Sequence, residues 1–205
     1  MAWAEFISFL KDVVVVAAPA TGAWVAVKGL STWRRQLKGQ SDYNLAKDVL
    51  INIYKYRDAL FFVRHPLITG AELKLPEGVD EKELKYAEVN YLQTATAYEN
   101  RWNKVVEVRS KLLTNIVEIE ALWGADLAQQ LKNIFVHEKD LMFNISCYLR
   151  VINPSIAAED KEFDREHYDR KMLYDTLKDE SDTFRMAFKK TITPLEDALR
   201  EKLKK

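Results

Sequence analysis

One stretch of 43 residues without glycine or proline, residues 81–123, constrains the fold of this chain more than any other feature. Two heptad rows run through it: Leu84, Tyr91, Tyr98, Val105, Leu112 and Ile119, and, four positions later, Glu88, Ala95, Trp102, Arg109, Ile116 and Trp123. This spacing predicts a helix about 65 Å long with one buried stripe. An intramolecular bundle and a coiled coil both carry such a stripe, and the charges of Glu88 and Arg109 favour the bundle.

Turn residues divide the remaining chain into further helices. Ser41-Asp42 predicts the start of an amphipathic helix that ends before His65-Pro66, because the residue before a proline is pushed out of the α region. Gly124 predicts the end of the long helix, and the next helix is expected to run from Asp126 to Asn153-Pro154. The short link at Gly124 makes these two helices an antiparallel hairpin. A half-exposed segment and a last helix with a break or kink at Pro194 follow.

The fold class that these patterns predict is all-α, a helical bundle around a long antiparallel helical hairpin. Only 6 glycines and 5 prolines occur in 205 residues, which is too few for the many tight turns of an all-β fold. We expect two parts, an N-terminal hydrophobic anchor helix with a basic flank in residues 1–35 and a helical domain in residues 36–205.

The anchor prediction rests on residues 13–27, which contain no charged side chain. At about 1.5 Å a residue this run is shorter than a bilayer core of about 30 Å, but Lys28 can extend it by snorkelling. A cleaved signal peptide would need a positive amino-terminal region, which Glu5, Lys11 and Asp12 do not supply. A buried hairpin of a soluble core stays open as the alternative. We favour a single membrane span formed by Val13, Val14, Val15, Val16, Ala20, Gly22, Trp24, Val25 and Val27.

Basic residues follow this span and set its expected orientation. They are Lys28, Arg34, Arg35 and Lys38. The positive-inside rule then predicts a single-pass protein of the cytoplasmic membrane with its C-terminal domain in the cytoplasm. An N-terminal anchor, a basic flank and a helical domain resemble the layout of many bacterial proteins, a likeness that involves no diagnostic motif.

The composition excludes several classes of function. The formal net charge is 0, whereas a general nucleic-acid binder needs a positive excess. The single cysteine, Cys147, allows no internal disulfide and is expected to be an inert core thiol. His137 stands among polar neighbours and is predicted to be a surface residue. The pair Asp164 and His167 lacks the second pair that a bundle metal centre requires, so we predict no metal site, no cofactor and no enzymatic activity.

An aromatic stripe on the long helix is the one candidate pocket in the sequence. The stripe consists of Tyr91, Tyr98, Trp102 and Trp123, and the neighbouring Arg101 and Arg109 would be the first residues to contact an anionic ligand. A plain core stripe explains the same spacing.

Three functions are compatible with these features. The first is a non-enzymatic, membrane-anchored interaction or scaffold protein whose partners are membrane lipid and another protein or further copies of itself. The second is a membrane-acting stress or defence effector, because the small residues Ala17, Ala18, Ala20 and Gly22 permit close helix contact. The third is a helical small-molecule sensor or enzyme that uses the aromatic stripe. The anchor, the long helix and the missing catalytic groups favour the first.

Overall fold

The computed structural model describes the backbone of residues 2–178 and 181–204, and the side chains of these residues except 2–21 and 23. All regular structure in these ranges is helical, which confirms the all-α prediction. The helices are α1 (Ala2–Val63), α2 (Tyr86–Trp123), α3 (Ala125–Asn133), α4 (Phe135–Ile152), α5 (Glu162–His167), α6 (Arg170–Leu173) and α7 (Thr183–Leu203), with 3₁₀ turns at Glu81–Glu83 and Glu159–Lys161.

The chain forms two compact units, an N-terminal unit that ends at Asn44 and a bundle unit of residues 45–204. Helix α1 passes through Ser41-Asp42 without interruption, so the predicted helix start there is wrong. A Ser-Asp pair caps a helix only where the preceding chain is not helical. Here Gln40 donates a hydrogen bond to Asn44 one turn later, at 3.1 Å, and the chain from 20 to 65 contains no proline. The end of α1 at Val63, just before His65-Pro66, is as predicted.

The bundle unit packs the C-terminal part of α1, α2, the α3–α4 pair and α7 around one core. The rings of Tyr56 on α1, Phe135 on α4 and Phe188 on α7 meet at its centre, with ring centroids 5.6 Å and 6.3 Å from that of Tyr56. Leu112 and Ile119 from the predicted stripe are fully buried. The helix begins at Tyr86 and not at residue 81 as predicted, so Leu84 lies outside it, whereas Leu112 and Ile119 face the chain's own bundle.

The predicted hairpin at Gly124 is present, because α2 packs along α3 and α4. Gly124 adopts φ +98°, a conformation that other residues rarely take, and its N–H bonds the carbonyl of Ile119. The helix expected from Asp126 to Ile152 is interrupted at Ile134, so that it forms α3 and α4. Pro194 lies inside α7 and does not end it.

Two buried arginines fix the irregular segments to the bundle. Arg64 is fully buried at the end of α1, bonds both carboxylate oxygens of Asp182 at 3.0 Å, and also donates to the carbonyl of Met172 at 2.7 Å. Arg101 on α2 binds the Glu72 carboxylate at 2.6 Å and the carbonyl of Leu67 at 2.7 Å. Arg101 therefore holds the loop after α1 against α2, and Arg64 holds the segment before α7 against the end of α1.

Candidate functional site

The first candidate surface is segment 24–38 of α1, in which every side chain is exposed. Its large apolar members are Trp24, Val25, Val27, Leu30, Trp33 and Leu37, with exposures between 47% and 68%. The segment also contains Lys28, Arg34, Arg35 and Lys38, and it contains no acidic residue. Six large exposed apolar residues within fifteen positions make this segment a candidate interaction surface.

The predicted anchor is only partly within the described side chains. Val13, Val14, Val15, Val16 and Ala20 lie outside them, as do the small residues Ala17 and Ala18. Gly22, Trp24, Val25 and Val27 lie within them and are exposed. A search restricted to the described residues identifies no helix with an apolar stretch long enough to cross a bilayer.

The second candidate site is a cleft of about 340 Å³ between α2 and α4, which we call the α2–α4 cleft. Its walls are Trp102 and Arg109 from α2 and Phe135, Glu138, Lys139, Met142 and Phe143 from α4. The exposed fractions of Met142 and Phe143 are 40% and 46%. An apolar cleft with a few charged groups is the usual form of a small-molecule site.

A hydrogen-bonded chain connects this cleft to the core. The Tyr56 hydroxyl donates to Oε2 of Glu138 at 2.6 Å, and Nη1 of Arg109 donates to Oε1 of the same carboxylate at 3.2 Å. Burial, and then the bond to Glu138, raise the pKa of Tyr56 far above its ordinary value. Tyr56 is therefore a permanent donor that holds the Glu138 carboxylate in place.

Five of the residues predicted for the aromatic pocket lie in different environments. Trp102 and Arg109 line the α2–α4 cleft. Tyr98 is buried in the core, where its ring meets that of Tyr148 at 6.0 Å, and Tyr91 is half-buried. The guanidinium of Arg101 is occupied by Glu72 and backbone carbonyls. The structure thus brings two of the five together, and whether a ligand binds them stays a prediction.

Sequence reasoning missed the residues that α4 contributes to the cleft, although a signal for them exists. Arg109 lies fifteen residues before Gly124, and Glu138 lies fourteen residues after it. In an antiparallel hairpin, residues equally far from the turn face each other. Counting as many residues after Gly124 as Arg109 lies before it would have identified Glu138 and Lys139 as its neighbours on the facing helix.

The third candidate site is a groove of about 1040 Å³ between α1 and α7, the α1–α7 groove. Phe61, Phe188 and Ile192 contribute to its apolar lining. Three exposed apolar side chains also line it: Phe62, Met186 and Leu177, the last with φ +60°. No local pattern predicts this groove, because its two walls are more than a hundred residues apart in the sequence.

The charges along the α1–α7 groove are not balanced. Its carboxylates are all paired: Asp58 with Arg57 at 2.8 Å, Asp175 with Arg185 at 2.7 Å, and Glu196 with Arg200 at 3.9 Å. Lys189 and Lys190 also line the groove, and the described part of the chain provides no carboxylate within ion-pair distance of either. As far as residues 2–178 and 181–204 show, the groove therefore combines apolar surface with two lysines outside any ion pair.

Groups with catalytic potential are occupied by structural contacts. Among the described residues there is no cluster of three or more histidine, cysteine or acidic side chains that could hold a metal ion. Asp164 binds Arg150 at 2.7 Å. Cys147 is buried, and burial together with Asp164 raises its pKa. His137 is half-buried, not a surface residue, because it packs against α7 with Nε2 2.9 Å from the Thr191 hydroxyl.

Comparison of the chain with protein-family models, with curated proteins and with solved structures returns no match.

Proposed function

We propose that this protein is a non-enzymatic interaction module that the N-terminal part of α1 tethers to the cytoplasmic face of an anionic membrane. The observation that supports the proposal is the exposed, acid-free segment 24–38 with its two tryptophans and four basic residues. Tryptophan favours the level of the lipid headgroups, and each lysine or arginine near an anionic surface contributes about 1 kcal/mol of binding.

Lipid is the partner that matches this mixture of side chains. The ammonium of Lys28 lies 4.9 Å from the ring centroid of Trp24, so cation and aromatic ring share one part of the helix surface. A protein interface usually has its charges at the rim, whereas here Lys28 follows an apolar run and the other basic residues flank Leu37 beside Trp33. Bilayer headgroups accept both, with rings below the phosphates and cations beside them.

Full-length protein is therefore expected to float with vesicles of phosphatidylethanolamine and phosphatidylglycerol. The double variant Trp24→Glu/Trp33→Glu should bind these vesicles at least about tenfold more weakly. It replaces two aromatic side chains that would enter the bilayer by carboxylates that the anionic lipid repels. Raising the salt concentration should weaken the binding of the wild type without abolishing it, since salt screens only the electrostatic part.

Val106→Glu/Val117→Glu provides the matched control for flotation. These valines are exposed apolar residues of α2, at 42% and 68%, and lie in the bundle unit. The control should float like the wild type. Wild-type protein that stays with the lipid-free fraction, or a Trp24→Glu/Trp33→Glu variant that floats undiminished, would contradict the proposed tether.

The interaction part of the proposal assigns the α1–α7 groove to an amphipathic helix with acidic residues from a partner protein. The apolar face of such a helix would cover Phe62, Leu177 and Met186, and its carboxylates would neutralise Lys189 and Lys190. Charge complementarity is the basis for this choice, because the groove's own carboxylates are already paired.

A designed amphipathic peptide of about 16 residues with leucine anchors and glutamate on its polar face tests this assignment. We expect it to bind the full-length protein, and the variant Lys189→Glu/Lys190→Glu should bind about tenfold or more weakly in low salt. Fluorescence anisotropy of the labelled peptide measures both affinities.

Two controls accompany the peptide experiment. Lys47→Glu/Lys55→Glu reverses two exposed lysines of α1 that do not line the groove, and this variant should bind the peptide like the wild type. A peptide with lysine in place of every glutamate should not bind. Equal binding of both peptides, or of the wild type and the Lys189→Glu/Lys190→Glu variant, would rule out an acidic helix as the occupant.

A further inference from the structure

The α2–α4 cleft has the charge of a site for a single anion. Arg109 and Lys139 contribute two positive charges and Glu138 one negative charge, so one positive charge remains. The structure provides no ion-pair partner for Lys139 among the residues it describes. The Glu138 carboxylate is bonded by Tyr56 and Arg109 and forms no ion pair with Lys139. A bound monoanion would balance the cleft.

The guanidinium of Arg109 has donors to spare. Its Nη1 bonds Glu138, whereas its Nε is shielded from solvent and has no hydrogen-bond partner within the described chain. A buried donor without a partner is unfavourable, and the two nitrogens on one side of a guanidinium match the two oxygens of a carboxylate. The side chain as a whole is 43% exposed, so a carboxylate ligand in the cleft can reach the exposed part of this guanidinium.

The side chains that line the cleft favour an anionic ligand whose remaining part is flat and apolar. Three of the seven lining side chains are aromatic, Trp102, Phe135 and Phe143, and Met142 adds a polarizable thioether. Aromatic rings pack favourably with one another in edge and offset geometries, and a thioether contacts ring edges. A volume of about 340 Å³ is at the small end of ligand sites, which limits the ligand to one or two rings.

We infer that the α2–α4 cleft binds a small planar aromatic carboxylate, with its carboxylate at Arg109 and Lys139 and its ring among Trp102, Phe135 and Phe143. This inference does not depend on the proposed membrane tether, because all of these residues belong to the bundle unit. The buried Tyr56 hydroxyl keeps Glu138 and, through it, Arg109 in position for the ligand.

Titration of the full-length protein with 2-naphthoate tests this inference, and calorimetry measures the affinity. We expect saturable binding with one ligand per chain, and a rise in Tm at saturating ligand. The neutral analogue 2-naphthamide and the non-aromatic acetate should each bind at least about tenfold more weakly, since each lacks one of the two recognised groups. Equal binding of naphthoate and naphthamide would overturn the carboxylate assignment, and equal binding of acetate would overturn the aromatic one.

Three variants locate the site. Arg109→Gln should weaken 2-naphthoate binding about tenfold or more, because it removes the charge-assisted bonds. Lys139→Gln alters an exposed lysine that forms no ion pair with any described residue, so it should fold normally and weaken binding by a smaller factor. Lys111→Gln removes an exposed lysine of α2 that pairs with Glu107 outside the cleft, and should leave binding unchanged. Unchanged affinity in Lys139→Gln, or absence of any binding by the wild type, would overturn the inference even if Arg109→Gln failed to fold.

Discussion

Replacing Arg64 by methionine is expected to lower the free energy of unfolding by about 3–5 kcal/mol, the usual cost of removing one partner from a buried ion pair. The Asp182 carboxylate that remains is only 2% exposed and would be left without its main counter-charge. For a protein of this size the change corresponds to a fall in Tm of roughly 6–20 °C. Thermal unfolding followed by circular dichroism measures it.

The pair Arg57 and Asp58 provides the matched control for this variant. Its atoms are as close as 2.8 Å, but the two side chains are 36% and 65% exposed, against 0% and 1% for Arg64 and Asp182. Arg57→Met should therefore change stability by no more than about 1 kcal/mol. Equal losses in the two variants would show that burial does not determine the contribution of Arg64.

The same pair predicts a specific dependence of stability on pH. Burial alone would raise the pKa of Asp182, but hydrogen bonds from Arg64 and from the N–H groups of Arg185 and Thr176 outweigh it and hold the pKa below its ordinary value. A lowered folded-state pKa means that the stabilisation is complete above the unfolded value of about 4 and is lost as the pH falls through the folded value. Asp182→Asn should therefore lower stability at pH 7 and flatten its decline in acid.

Truncation of Phe188 to alanine is expected to cost about 3–5 kcal/mol, because it empties a fully enclosed aromatic position. The Phe188 ring lies 5.9 Å from that of Phe61 and 5.4 Å from the imidazole of His137, so it joins α7 to both α1 and α4. The side chain is also part of the lining of the α1–α7 groove. Urea unfolding of the full-length protein measures the change.

Phe163→Ala is the control for this truncation. Phe163 on α5 is 58% exposed and stacks on His167, with ring centroids 3.9 Å apart. Its loss should alter stability by no more than about 0.5 kcal/mol. A Phe188→Ala variant as stable as Phe163→Ala would mean that α7 does not depend on this contact for its packing.

The C-terminal ends of α1, α2 and α4 and the core stripe were predictable because local chemistry determines them. His65-Pro66 and Asn153-Pro154 end helices by steric exclusion, and Gly124 can take a positive φ. The seven-residue spacing of Leu112 and Ile119 predicts one buried face whatever the partner helix is. Such signals require only the neighbouring residues.

The burial of Arg64 and the two-walled groove were not predictable in this way. An arginine in the sequence is normally an exposed residue, and the partners that satisfy the buried Arg64, Asp182 and the carbonyl of Met172, lie more than a hundred positions later. The groove similarly depends on α1 and α7 lying side by side. The position of Glu138 was predictable in part. Once the turn at Gly124 is recognised, the symmetry of the hairpin places Glu138 opposite Arg109.

Fluorescence of a label at residue 27 tests the proposed tether most directly. Val27 and Val117 are both 68% exposed, so Val27→Cys and Val117→Cys present equivalent labelling sites on α1 and α2. The native Cys147 is buried with a raised pKa, and the wild-type protein serves as the labelling blank. With anionic vesicles, an environment-sensitive fluorophore should brighten and shift to shorter wavelength at residue 27 but not at residue 117. An unchanged spectrum at residue 27, or equal changes at both residues, would contradict the membrane tether.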